Sequence, residues 1–76
     1  MELNDFISNF ASQFEDTDAS EFTENTKFRE LDEWTSLTAL SIIAMIDEDY
    51  EISVNGNDIR KAETIGELFD IVKAKK

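Results

Sequence analysis

An uncharged stretch in the middle of the chain constrains the fold more than any other feature. Residues 36–46 contain no charged side chain, although 33% of the residues in the chain are charged. The stretch has room for about three helical turns and ends at the acidic cluster Asp47-Glu48-Asp49. Thr35 precedes it, and a threonine hydroxyl at that place can accept from a free amide of the first turn. The pattern predicts a helix over residues 36–50.

This predicted helix has two apolar faces. With a period of about 3.6 residues, one face carries Ala39, Ile42, Ile43, Ile46 and Tyr50, and the other carries Leu37, Leu40 and Ala44, flanked by Ser41, Asp47 and Glu48. Such a helix either lies deep in a core or presents one face to a partner. A chain of 76 residues has too little protein to bury both faces. We therefore expect the Leu37, Leu40 and Ala44 stripe to be partly exposed; the alternative is that residues 15–35 cover it.

The remaining apolar residues predict a single all-α domain over residues 1–76. Leu3, Phe6, Ile7, Phe10 and Phe14 recur at helical spacing. Residues 15–35 lack such a period, and this pattern is typical of a long loop anchored by Phe22, Phe28 and Leu31. A short helix is expected near residues 57–62, and a capping box from Thr64 to Glu67 opens a last helix. The expected architecture is a four-helix bundle with three main helices, one short helix and a long first loop.

Charge and composition exclude several functions. The chain has 18 acidic and 7 basic residues, a net charge of −11. Such a field repels nucleic acid and anionic lipid and favours basic protein partners. Cysteine and histidine are absent, so thiol nucleophiles, thiolate metal sites and the commonest general base are missing. No apolar run reaches membrane-spanning length, and the N-terminus is acidic. We expect a cytoplasmic, monomeric protein that is not an enzyme and does not insert into membranes.

Two segments are candidate sites. The alternating acids Asp47, Asp49 and Glu51 suggest a calcium loop, but an EF-hand needs Gly at its sixth position and Glu at its twelfth, where this chain has Ile52 and Asp58; no metal site is predicted. Ser36 is the sharper candidate. A serine there is commonly only a first-turn residue, but a phosphodiester attached to it would meet free amides and the positive end of the helix dipole.

The chain resembles an acyl carrier protein. The resemblance covers nearly the whole length and includes Phe28-Arg29-Glu30-Leu31, Ser36-Leu37, Asp47-Glu48-Asp49-Tyr50, Ile52 and Val54. It implies that a phosphopantetheinyl transferase attaches 4'-phosphopantetheine from coenzyme A to Ser36, and that the arm holds acyl groups as thioesters. It also implies two sets of contact residues. Partner enzymes with basic surfaces would dock on Leu37, Leu40, Ser41, Ala44, Asp47 and Glu48. An acyl chain would enter among Ile46, Val54, Ile59 and Ala62, which are equally well explained as core.

Three departures from the family pattern refine the expected function. Thr35 stands where the family has Asp, Ser41 stands where fatty-acid carriers have an acid, and Glu33-Trp34 replaces a Gly-Ala pair. The Trp-x-Ser-Leu form resembles specialised carriers of polysaccharide, lipopolysaccharide or secondary-metabolite pathways rather than the housekeeping fatty-acid carrier. Two alternatives stay open: an unmodified interaction module with a carrier-like fold, and a peptidyl or aminoacyl carrier.

Overall fold

Four α-helices and two 3₁₀ turns make up the fold in a computed structural model that describes residues 2–75. The helices are α1 (Leu3–Ala11), α2 (Ser36–Tyr50), α3 (Gly56–Lys61) and α4 (Ile65–Lys75). The 3₁₀ turns, Ala19–Glu21 and Phe28–Glu30, lie in the long connection between α1 and α2. No strand occurs in residues 2–75. The predicted all-α architecture, with three main helices, one short helix and a long first loop, is confirmed.

The core is built largely from aromatic rings. Phe6, Phe10 and Phe28 are completely buried, and α1 supplies the first two of them. Trp34, just before α2, stacks parallel to Phe10 with ring centroids 6.5 Å apart. The ring of Trp34 also contacts Phe28 edge-on at 5.0 Å. Pairs of this kind contribute about 0.5–1.5 kcal/mol beyond the area they bury, so these contacts hold the start of α2 against the core.

Hydrogen bonds close the long first loop on itself and join its middle to the start of α4. The carboxylate of Glu33, near the end of the loop, accepts hydrogen bonds from groups near its start. The donors are the amides of Glu15 (3.2 Å) and Asp16 (3.1 Å) and the Thr17 hydroxyl. The Thr17 hydroxyl, with those amides, lowers the pKa of Glu33 below its ordinary value. The loop is therefore closed by a side chain that directly precedes Trp34.

Farther along, the loop caps α4. The carbonyls of Thr26 and Glu24 accept from the amides of Ile65 (3.1 Å) and Gly66 (2.9 Å), which are in the first helical turn and have no partner inside the helix. The loop and the start of α4 lie so close together that a Cβ at position 66 would be 2.9 Å from the Glu24 carbonyl oxygen. Glycine is therefore needed at this position.

The helix α3 begins with a capping box that the sequence did not lead us to expect. The Asp58 amide donates to Asn55 Oδ1 at 3.0 Å, and the Asn55 amide donates to Asp58 Oδ2 at 3.1 Å. The predicted box at the start of α4 forms only in part. The Glu67 amide donates to Thr64 Oγ1 at 3.2 Å, whereas the Glu67 carboxylate accepts from the Glu63 amide at 3.3 Å.

Candidate functional site

The first turn of α2 is capped as its sequence predicts. Thr35 has extended backbone angles (φ −139°, ψ 175°), and its hydroxyl accepts from the Thr38 amide at 3.2 Å. The Thr38 hydroxyl in turn donates to the Glu33 carbonyl at 2.8 Å. These two threonine hydroxyls complete the cap between them. Ser36, the first residue of α2, is exposed and takes no part in it.

Ser36 opens onto a cleft of about 360 Å³ between the start of α2 and α3. The cleft combines aromatic, aliphatic, hydroxyl and guanidinium groups, and its lining residues are Arg29, Trp34, Thr35, Ser36, Ala39, Gly56, Ile59 and Arg60. No carboxylate is among them, although the chain has 18 acidic residues. No local sequence pattern indicates this cleft, because its walls come from segments that are up to about thirty residues apart in the chain.

The second apolar face of α2 is exposed. Leu37 and Leu40 are 77% and 61% exposed and are the large apolar side chains with most exposure among residues 2–75. Ser41 and Ala44 are exposed beside them. The Ser41 hydroxyl donates to the Leu37 carbonyl at 3.1 Å, so it adds no unpaired donor to this surface. We call Leu37, Leu40, Ser41 and Ala44 the apolar stripe. The alternative that residues 15–35 cover it is wrong.

The opposite face of α2 lies in the core. Ile42 and Ile46 are completely buried, as predicted, while Ile43 is only half-buried. Met45 is 5% exposed and was not predicted as core. Residues 42, 45 and 46 have the i, i+3, i+4 spacing of one helix face, and this spacing could have identified Met45 as a core residue.

The residues that the resemblance assigned to an acyl chain are all buried. Ile46 and Ala62 have no exposed surface, and Ile59 and Val54 are 3% and 7% exposed. Of these four, Ile59 is the one that lines the cleft beside Ser36. Their role toward an acyl chain stays a prediction, and their packing role in the core is visible.

Charged groups surround the site unevenly. Asp47 and Glu48 are exposed at the C-terminal end of the apolar stripe, as are Glu30 and Asp32 in the loop before α2. Within residues 2–75, a single ion pair occurs, between Lys75 Nζ and Asp58 Oδ2 at 3.2 Å. Over the same residues, no group of three or more side chains is arranged to hold a metal ion. None of the described helices is long and apolar enough to cross a membrane.

Comparison with known proteins gives one family match. The family model described as the phosphopantetheine attachment site matches residues 5–72. The matched range includes Ser36, the cleft and the apolar stripe. No match to a curated protein was found for this chain.

Proposed function

This chain belongs to the phosphopantetheine attachment-site family, and from that premise we propose that it carries acyl groups on an arm attached to Ser36. Family membership implies a covalently attached 4'-phosphopantetheine group, whose terminal thiol holds acyl groups as thioesters. The proposed role is to deliver these groups to partner enzymes, without catalysis by the chain itself.

The placement of Ser36 supports this proposal more than any other observation. Its side chain is exposed at the first residue of α2 and opens onto the cleft. The hydroxyls of Thr35 and Thr38 make the cap's hydrogen bonds, so the Ser36 hydroxyl can be used without cost to the helix. An exposed hydroxyl on an open cleft fits a covalently attached phosphodiester.

The modification proposed for Ser36 balances with coenzyme A as the second reactant. Ser36 Oγ forms a bond to the phosphorus that bears the pantetheine. The bond from that phosphorus to the oxygen bridging to the nucleotide breaks, and 3'-phosphoadenosine 5'-phosphate leaves. The hydroxyl proton goes to a base of the phosphopantetheinyl transferase. This chain has no histidine that could act as the base.

The apolar stripe is the proposed docking surface. Leu37 and Leu40 offer the apolar contact. The exposed acids Asp47 and Glu48 on α2, and Glu30 and Asp32 in the loop before it, attract basic enzymes. The front half of α2 carries no charge of its own, because Ser41 occupies a position where fatty-acid carriers have an acid. This neutral surface favours partners from polysaccharide, lipopolysaccharide or secondary-metabolite synthesis over those of housekeeping fatty-acid synthesis.

The decisive experiment is to measure the intact mass of the chain after incubation with coenzyme A and a broad-specificity phosphopantetheinyl transferase. We expect the mass of one arm to be added to the wild-type chain and nothing to be added to Ser36→Ala. A standard acyl carrier protein in the same reaction is the control for the enzyme. If that carrier is modified and this chain is not, the proposal is wrong.

Thr35 favours a second function, an unmodified interaction module. The family carboxylate that precedes the serine helps the transferase to recognise its substrate, and Thr35 supplies only a hydroxyl, already engaged with the Thr38 amide. The same mass experiment separates the two functions. A peptidyl or aminoacyl carrier shares the chemistry on Ser36 and differs only in the cargo that loading enzymes select.

A further inference from the structure

Two arginines stand out from the acidic surface because they lie in the same cleft as Ser36. Arg29 and Arg60 both line it, and no acidic side chain does. Neither is within 4 Å of a carboxylate in residues 2–75, where the one ion pair joins Lys75 and Asp58. Exposed arginines in so acidic a chain have many acids available as partners. Their convergence on a carboxylate-free cleft therefore indicates a site for an anion.

The two arginines are held by separate, well-anchored elements. Arg29 is in the 3₁₀ turn Phe28–Glu30, whose Phe28 is completely buried and contacts Trp34. Arg60 is on α3, and its guanidinium donates a hydrogen bond to Asn57 Oδ1 one turn earlier. The neighbouring Ile59 is buried and holds α3 against the core. The two arginines therefore line the cleft from two separate elements.

The chemistry of the cleft selects the kind of anion. A guanidinium presents a planar fork of donors that matches the oxygens of a phosphate, and such charge-assisted bonds are about twice as strong as neutral ones. Trp34 and Ile59 add an apolar wall to the same cleft. A ligand that fits both the arginines and the apolar wall has a phosphate next to an apolar or amide-bearing chain.

We propose that Arg29 and Arg60 bind the phosphodiester of the arm on Ser36 and hold the first part of that arm in the cleft between α2 and α3. This inference rests on the proposed function. It assigns to this carrier a basic phosphate site within an otherwise acidic molecule, and it separates two surfaces: the cleft binds the arm, and the apolar stripe binds the partner enzyme.

The test compares three chains after modification, each verified by intact mass: the wild type, Arg29→Gln/Arg60→Gln, and the control Lys27→Gln/Lys61→Gln. The control removes the same charge from exposed positions next to the arginines that do not line the cleft. The readout is the ³¹P NMR signal of the arm, together with the Nε–Hε signals of Arg29 and Arg60 before and after modification.

We expect the wild type and the lysine control to give a ³¹P signal that is broadened and shifted from that of a modified short peptide. This signal should move toward the peptide value at about 1 M salt, where the Debye length falls to about 3 Å. The arginine variant should resemble the peptide at every salt concentration. Both arginine Nε–Hε signals should shift when the wild-type chain is modified, a comparison that needs no variant.

The outcomes separate this inference from the proposed function. If the arm is added but all three chains share the peptide-like ³¹P signal and the arginine signals do not move, the phosphate site is wrong and the carrier function stands. If no arm is added to the wild type, both are wrong. If the arginine signals of the unmodified chain respond to free coenzyme A but not to the attached arm, the cleft serves loading, and the proposal is wrong.

Discussion

Trp34 packs edge-on against Phe28, with ring centroids 5.0 Å apart and ring planes inclined by 64°. The contact joins the residue two positions before Ser36 to the 3₁₀ turn that carries Arg29. The same indole stacks on Phe10 of α1. The candidate attachment site is therefore positioned by the aromatic core and not by α2 alone.

Truncation of Trp34 should test this role. We expect Trp34→Ala to lower the free energy of unfolding by about 3 kcal/mol, the low end of the range for aromatic truncation, because the indole is half-buried. Trp34→Phe keeps an aromatic ring and should cost less than half as much. Urea unfolding followed by circular dichroism measures both. A loss below about 1 kcal/mol for the alanine variant would show that the indole does not anchor α2.

Replacement of Gly66 should disturb the junction between the loop and α4. In Gly66→Ala, the new Cβ would lie 2.9 Å from the Glu24 carbonyl oxygen, so we expect a loss of about 1–3 kcal/mol, as in overpacked cores. Gly56→Ala is the matched control. Its Cβ would meet Arg60 at an ordinary 3.6 Å, so its stability should be unchanged or slightly higher. Thermal unfolding of the two variants compares them, and equal melting temperatures would contradict the close approach.

The main helix and its two faces could be predicted because an uninterrupted uncharged run leaves few choices. The run covers residues 36–46 of α2, and the Thr35 hydroxyl caps the helix, as is favoured for threonine at that position. Exposure of Leu37 and Leu40 followed from size alone, since so short a chain cannot bury both faces.

The rest of the site could not be predicted for physical reasons. Arg29 and Arg60 line the same cleft only because of tertiary packing, and no local sequence pattern brings them together. The loop caps α4 through backbone carbonyls, which carry no side-chain signal. Asn55-Gly56 favours a tight turn, and this preference obscured the capping box that Asn55 forms with Asp58.

Asp58 should make stability depend on pH below about pH 4. The Asn55 amide, and after it Lys75, lower the pKa of this carboxyl in the folded chain, whereas the unfolded value is about 3.9. A group with a depressed folded pKa stabilises the fold above its unfolded pKa, and this stabilisation is lost as the pH falls through the folded pKa. We therefore expect stability to fall as the pH is lowered below about pH 4, and to fall less steeply in Asp58→Asn.

The control for this pH dependence is Asp70→Asn, which removes the same charge from an exposed position on α4. This control accounts for the weaker charge repulsion that follows from removing any one carboxylate from so acidic a chain. Urea unfolding from pH 2 to pH 7 gives the slopes. If Asp70→Asn and Asp58→Asn flatten the curve equally, the capping box and the Lys75 pair do not contribute specifically.

Thr35→Asp should restore recognition by the transferase without harming the fold. An aspartate is as good a helix cap as threonine, so the free energy of unfolding should change by less than about 1 kcal/mol. We expect faster addition of the arm, measured as the initial rate of mass increase. Thr35→Ser keeps a hydroxyl cap without a carboxylate and should modify at the wild-type rate. An unchanged rate in Thr35→Asp would show that the residue before Ser36 does not limit the reaction.

Truncation of the apolar stripe should weaken docking while leaving the fold intact. Leu37 is 77% exposed, so Leu37→Ala should change stability by less than about 0.5 kcal/mol. Removing its contact with the transferase should raise KM for the carrier several-fold. Leu3→Ala is the control for loss of stability, because Leu3 on α1 is half-buried against the core. This substitution should lower the free energy of unfolding without affecting KM. Steady-state modification rates and urea unfolding of both variants measure the two effects, and an unchanged KM in Leu37→Ala would remove the stripe from the docking surface.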